Sequence, residues 1–303
     1  MSEVLIIYCV LIVLASAAGG ALPSLVTFTH RRIQMTLSLV SGVMLGVALL
    51  HLLPHAIQLS PQNIDGPMVA CLGGLLFMFL LIRMFHFHHH EMAADDGHGE
   101  HCRHDHDHSH THIHESPKNE LPIVSTGADT AISPTAGKNF SWIGLTVGLA
   151  LHTLIDGLAL AAAFSAERLH SVLPALGTFL AIVLHKPLDA LTITSLMKAR
   201  HASFQQQTIV NLVFALVCPI GAILFSLSLD QLQLSGQPIV AYSLAFSAGV
   251  FLCISLGDLL PEVHFHSHDR VWLSFMLLLG VLIAFAIEKL LGHSHALPTV
   301  IAS

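Results

Sequence analysis

Two stretches of the chain place a histidine four residues ahead of an aspartate inside otherwise apolar sequence. They are His152 and Asp156 in LHTLIDGLALAAA, and His185 and Asp189 in LHKPLDALT. Residues four apart share one face of a helix, and imidazole nitrogen with carboxylate oxygen is a ligand set for divalent cations such as zinc. In hydrocarbon every ionisable side chain is expensive, and it marks a functional position by default. A single pair has an ordinary alternative, a hydrogen bond that fixes the packing of two helices. Two pairs with the same spacing, near the middle of two apolar runs, point instead to one site shared between helices.

Two more polar pairs bracket a proline near the end of an apolar run: His51-Leu-Leu-Pro-His55 and Asp258-Leu-Leu-Pro-Glu262. They read as relay ligands at the mouths of a pathway, against the alternative that polar groups near a span end reach the interface. Pro54, Pro187, Pro219 and Pro261 each remove a helical hydrogen bond, and a freed carbonyl facing a cavity can help ligate an ion, although a kink alone is the default result. The chain also holds 24 histidines, twelve of them between His86 and His114. His104, His106, His108, His110 and His112 alternate with Asp, Ser and Thr, and His264, His266 and His268 form a second cluster. Both clusters read as metal-buffering, with His293 and His295 as a weak capture site.

The elements that must carry these residues follow from composition. Of 303 residues, 53% are hydrophobic and 10% charged, with a mean hydropathy of +0.72. A soluble domain cannot hide so much apolar side chain, so most of the chain must face lipid or other membrane helices. Crossing a bilayer takes about 20 predominantly apolar residues. Eight runs qualify: Val4–Thr27, Leu37–Ile57, Pro67–Met84, Phe140–Phe164, Val172–Met197, Ile209–Leu229, Val240–Leu260 and Val271–Leu291. The fold class is therefore all-α and polytopic, with eight transmembrane helices and a long His-rich loop between the third and fourth. Three segments result: helices 1–3 over residues 1–84, a cytosolic loop over 85–139 expected to be disordered without metal, and helices 4–8 over 140–303. The first run has an acidic lead-in and reads as a retained helix rather than a signal peptide.

Placing the N-terminus outside puts nine of the loop Lys and Arg residues on the cytosolic side. Only Arg168 and Lys289 are left outside. That bias predicts that both termini lie on the non-cytosolic side. The five cysteines, Cys9, Cys71, Cys102, Cys218 and Cys253, form no C-x-x-C pair, which argues against a disulfide framework or a zinc knot.

Several function classes lose support. No G-x-x-x-x-G-K-[ST] occurs, so ATP-driven transport by this chain is not expected, and no H-E-x-x-H marks a metalloprotease. An intramembrane metal-dependent enzyme of the di-iron oxidase type needs several H-x-x-x-H boxes, whereas His51/His55 is the strict in-span example. A metal exporter of the cation-diffusion type shares the H-x-x-x-D pairs and His-rich loop, but typically has six spans and a soluble C-terminal domain. A metal-responsive receptor without flux stays open. The chain is not expected to be an enzyme. Its expected partners are a divalent metal ion and the lipid bilayer, not nucleic acid, with a homodimer as one open assembly.

The pattern resembles the ZIP (Zrt/Irt-like) family of metal transporters over nearly the whole chain. HTLIDGLALAAA is close to that family's H-N-x-x-[D/E]-G, HKPLDA is similar to its fifth-span motif with the proline one place early, and SAGVFLCISLGDLLPEVHFHSH resembles its seventh-span ending. The resemblance implies a principal metal site of His152, Asp156 and Asp189, with His185 peripheral, Met44 as a soft ligand and Thr153 as a weaker oxygen ligand in place of the usual Asn. Lys186 stands where binuclear members carry a carboxylate, and Cys218 where they tend to carry Glu. This implies a single-metal site in which the Lys186 ammonium takes the second metal's place. The alternative is that Lys186 forms a structural ion pair with Asp189 or Asp156. Cys218 reads as core before ligand. The resemblance further implies movement of Zn²⁺, or of Fe²⁺, Mn²⁺ or Cd²⁺, toward the cytosol by alternating access, with spans 1, 4, 5 and 6 moving against the rest.

Overall fold

The computed structural model describes residues 2–25, 30–85, 140–169, 171–232, 237–265 and 270–291. Its helices are α1 (Glu3–Leu25), α2 (His30–Val47), α3 (Leu53–Gln58), α4 (Asp65–Phe85), α5 (Phe140–Glu167), α6 (Leu176–Ala199), α7 (Phe204–Leu232), α8 (Gln237–Phe265) and α9 (Arg270–Leu291). No strand occurs among the described residues. A single turn of π-helix, Ala48–Leu52, joins α2 to α3. With that pair counted as one, eight helices are long and apolar enough to cross a membrane, in the order the sequence predicts. Large apolar side chains such as Leu14, Leu80, Leu216 and Leu278 stay exposed on the outer faces. Helices apolar on both inner and outer faces are those of a membrane bundle.

Among the boundaries that differ from the expected ones, two have a local reason. α7 starts at Phe204, ahead of its apolar run, because Ser203 and Gln206 cap it reciprocally. The Gln206 amide donates to Ser203 Oγ at 3.3 Å, and the Ser203 amide donates to Gln206 Oε1 at 3.1 Å, satisfying two amides that the first helical turn leaves over. α6 starts only at Leu176 because Ala175 is held in the left-handed region at φ 61°, with its amide donating to Glu167 Oε2 at 3.0 Å. The second span begins at His30, well before Leu37.

The π turn answers to Pro54. A proline in a helix lacks its amide, and its ring collides with the carbonyl four residues back. Here the preceding turn widens, so that the Leu53 amide reaches the Ala48 carbonyl five residues back. π turns of this kind are found mostly at functional positions.

The helices pack as two sets. α1 lies on α6 and α7, and α5 on α7, while α2 lies on α9 and α8, and α4 on α8. The spans expected to move together (1, 4, 5 and 6) are thus α1, α5, α6 and α7. Close backbone approach permits each of the main pairings. A Cβ at Gly157 would meet the Cys218 carbonyl, and one at Gly221 the Leu154 carbonyl, at the crossing of α5 and α7. Gly19 of α1 likewise fits against the backbone of Pro187 in α6. Small residues at crossings are how membrane helices gain contact where the solvent is itself apolar. Cys9, Cys71, Cys218 and Cys253 carry free thiols.

Candidate metal centre

α5 presents His152 and Asp156 on one face, and α6 presents His185 and Asp189 toward them. One ligand atom from each lies within 4.8 Å of all the others. Asp156 Oδ2 stands 3.3 Å from His185 Nε2 and 3.4 Å from His152 Nε2, and Asp189 Oδ2 stands 3.9 Å from both imidazoles. His152, Asp156 and His185 are buried, while Asp189 keeps 17% of its side chain exposed. The repeated i, i+4 spacing therefore produces one four-residue constellation.

His185 is oriented by its own helix. Its Nδ1 lies 2.7 Å from the Ala181 carbonyl, so Nδ1 carries the proton and Nε2 is left as an acceptor. His185 Nε2 stands within hydrogen-bonding distance of Asp156 Oδ2, at 3.3 Å, and a cation placed among these atoms would draw on both. Neither ring nitrogen of His152, nor Asp156 Oδ1, has a hydrogen-bond partner among the described residues. Buried polar atoms are nearly always partnered, so three unpartnered atoms within one cluster leave ligand-type groups that could hold a metal ion.

Lys186 supplies the cation already present. Its Nζ lies 2.5 Å from Asp156 Oδ2, 2.9 Å from Asp189 Oδ2 and 3.0 Å from Thr153 Oγ1. The Phe214 ring sits 5.7 Å below it, a favourable place for an ammonium. With neutral imidazoles the centre holds two carboxylates against one ammonium, which leaves one negative charge to attract a further cation. Thr153 donates to the Leu149 carbonyl at 2.7 Å and accepts from Lys186. Its hydroxyl thus serves the lysine, one residue round the helix from the His152 face.

Met44 is buried in the apolar core of α2, and Cys218 is buried in the same core, as the sequence suggested for it. A second cluster gathers His51 of the π turn, His55 of α3 and Glu167 of α5 at the end of the bundle where α3, α5 and α9 finish. Glu288 of α9 joins it, its Oε2 2.6 Å from His51 Nδ1. Glu167 and Glu288 were missed in the sequence. The available signal was a lone carboxylate in the last turns of an apolar helix, which reads equally well as an interfacial group. Asp258, Glu262 and His264 fall on the α8 backbone, with side chains outside the described residues, and His104, His106, His108, His110, His112, His266 and His268 lie outside them altogether.

Comparison with known proteins gives this geometry a family. The family model described as ZIP Zinc transporter matches residues 2–292. The chain is 28% identical over 282 residues to Zinc transporter ZIP4 of Mus musculus, covering 83% of this chain and 41% of that protein. It is 34% identical over 190 residues to Zinc transporter ZIP9-B of Xenopus laevis, covering 57% of this chain and 60% of that protein. The chain therefore spans about two fifths of the length of the first of these relatives and three fifths of the second. With a family match running almost from end to end over eight apolar helices, the chain belongs to the ZIP zinc transporter family.

Proposed function

We propose that the chain is a secondary transporter that moves Zn²⁺, or a related divalent transition metal, toward the cytosol by alternating access through one metal site between α5 and α6. The observation that carries this reading is the cluster of buried polar atoms without a hydrogen-bond partner, both ring nitrogens of His152 and Asp156 Oδ1, beside His185 Nε2. Burying such atoms without partners is costly, and a cation bound among them would relieve that cost. Two carboxylates meet the charge of a dehydrated divalent ion, and the imidazoles favour zinc over magnesium or calcium. Fe²⁺, Mn²⁺ and Cd²⁺ fit the same ligand types.

His152, Asp156 and Asp189 are the principal ligands and His185 the peripheral one. Met44 is the soft-ligand candidate, and Thr153 acts through Lys186. The lysine holds both aspartates in a metal-free centre and stands in for a second metal, so one ion binds at a time. The positive-inside count supports entry from the non-cytosolic side. On that orientation Asp258 and Glu262 lie toward the exit, and the loop histidines with His264, His266 and His268 buffer the delivered metal. No step requires bond-making chemistry, so the chain acts as a carrier rather than an enzyme.

Uptake of radiolabelled zinc into proteoliposomes tests the reading. Wild-type protein takes up zinc, and Asp189→Ala and His152→Ala lose most of that uptake while remaining monodisperse. Uptake unchanged in both variants sinks the site assignment.

A further inference from the structure

The second cluster repeats, at one end of the bundle, the construction of a metal ligand set. We infer that His51, His55 and Glu167 form a second binding site for a divalent transition ion, separate from the centre between α5 and α6. Its ligand atoms lie within 4.8 Å of one another, and His51 and Glu167 are buried. His51 Nε2 stands 2.7 Å from Glu167 Oε1.

The argument rests on what holds each of the three from behind. His51 Nδ1 lies 2.6 Å from Glu288 Oε2. His55 Nδ1 lies 2.8 Å from the His51 carbonyl. Glu167 Oε2 accepts from the Ala175 amide at 3.0 Å. In each case one polar atom is held from behind, and one ligand-type atom of each residue lies within 4.8 Å of the others. That is the arrangement of metal-binding histidines, whose second nitrogen donates to a carboxylate or a backbone carbonyl. The carboxylate is aimed by a residue in the left-handed region, Ala175 at φ 61°, a conformation a non-glycine residue adopts only when its surroundings impose it. The π turn widens the helix at His51 itself.

Two imidazoles and one carboxylate select a borderline transition ion such as zinc over calcium or magnesium. A purely structural account, an imidazolium held between Glu167 and Glu288, explains the two short His51 contacts. It leaves unexplained why His55 is fixed through the same kind of backbone hydrogen bond as His185, with its ring centroid 4.7 Å from that of His51. The site's role as the capture point of a pathway rests on the transport reading above. Its existence as a binding site does not.

The test is equilibrium dialysis of the full-length protein in lipid nanodiscs against ⁶⁵Zn²⁺ with excess Mg²⁺, comparing wild type with His51→Asn, His55→Gln, Asp156→Asn and the double variant His51→Asn/Asp156→Asn. The loop histidines are common to all, so differences report the two centres. Each single variant holds one zinc per chain fewer than wild type, and the double variant holds two fewer. Glu288→Gln keeps the ion but weakens it by about 10–100-fold. Half-buried His55 keeps the test decisive should His51→Asn fail to fold. Wild-type stoichiometry in His51→Asn or His55→Gln overturns the inference. Normal zinc flux in Asp156→Asn with the mouth equivalent still lost in His55→Gln overturns the transport reading and leaves this one standing.

Discussion

Replacing Lys186 by methionine removes the ammonium while keeping a long apolar stem of similar volume, so the change is electrostatic first. Asp156 is fully buried and loses the cation 2.5 Å from its Oδ2, and Asp189 loses one at 2.9 Å. Breaking a buried pair by removing one partner costs about 3–5 kcal/mol, because the remaining charge is left uncompensated. The same ammonium is also what an incoming divalent ion must share the two carboxylates with. If half of a penalty of about 4 kcal/mol is recovered when the ion takes its place, zinc binds about 30-fold more tightly. At saturating zinc that is about 2 kcal/mol of extra ligand-linked stabilisation. The assay is thermal unfolding of purified full-length protein, followed by Trp142 and Trp272 fluorescence, with and without ZnCl₂. Lys186→Met melts below wild type in the absence of metal, and zinc raises its midpoint by more than it raises the wild-type midpoint. A metal-free midpoint equal to wild type, or a zinc response no larger, refutes the assignment of Lys186 as the counter-ion that metal competes with.

Gly157→Val places side-chain atoms against the Cys218 carbonyl at the crossing of α5 and α7. Overpacking of this kind costs about 1–3 kcal/mol, seen as a lowered melting midpoint and a reduced monodisperse peak on size exclusion, whereas Gly73→Ala, with open space around its Cβ position, leaves both unchanged. Ser203→Ala deletes the cap of α7 and costs about 0.5–2 kcal/mol locally, read as faster amide hydrogen exchange in residues 204–207 without loss of zinc binding.

The eight spans were legible because hydrocarbon imposes a length and a polarity that few other contexts demand. The central constellation was legible for a related reason. His152/Asp156 and His185/Asp189 each fix their own relative direction through the helix period, so only the meeting of α5 and α6 remained to be supplied by packing. Lys186 had two readings in the sequence, and the contacts at 2.5 and 2.9 Å give it both aspartates as partners at once. What was not legible lies where three helix ends converge. Glu167 and Glu288 are far apart in sequence and separately unremarkable, and nothing in either run tells that His51 sits between them. The π turn was hidden as well, because Pro54 announces a disturbance but not whether the helix kinks, breaks or widens.

The two clusters differ in which helices carry them, and that difference bears on how an ion would move. Every residue of the central constellation belongs to α5 or α6, which pack within one set of helices together with α1 and α7. The second cluster straddles both sets: His51, His55 and Glu288 come from the α2, α3 and α9 side, and Glu167 from α5. A displacement of one set against the other therefore carries the central ligands as an intact unit, bound ion included. The same displacement separates Glu167 from His51 and takes the second cluster apart. On the proposed reading an ion is held at the mouth only while that end of the bundle is closed, and is passed inward to ligands that travel with their helices. On the same reading Lys186 offsets part of the carboxylate charge that the buried centre carries when no metal is bound.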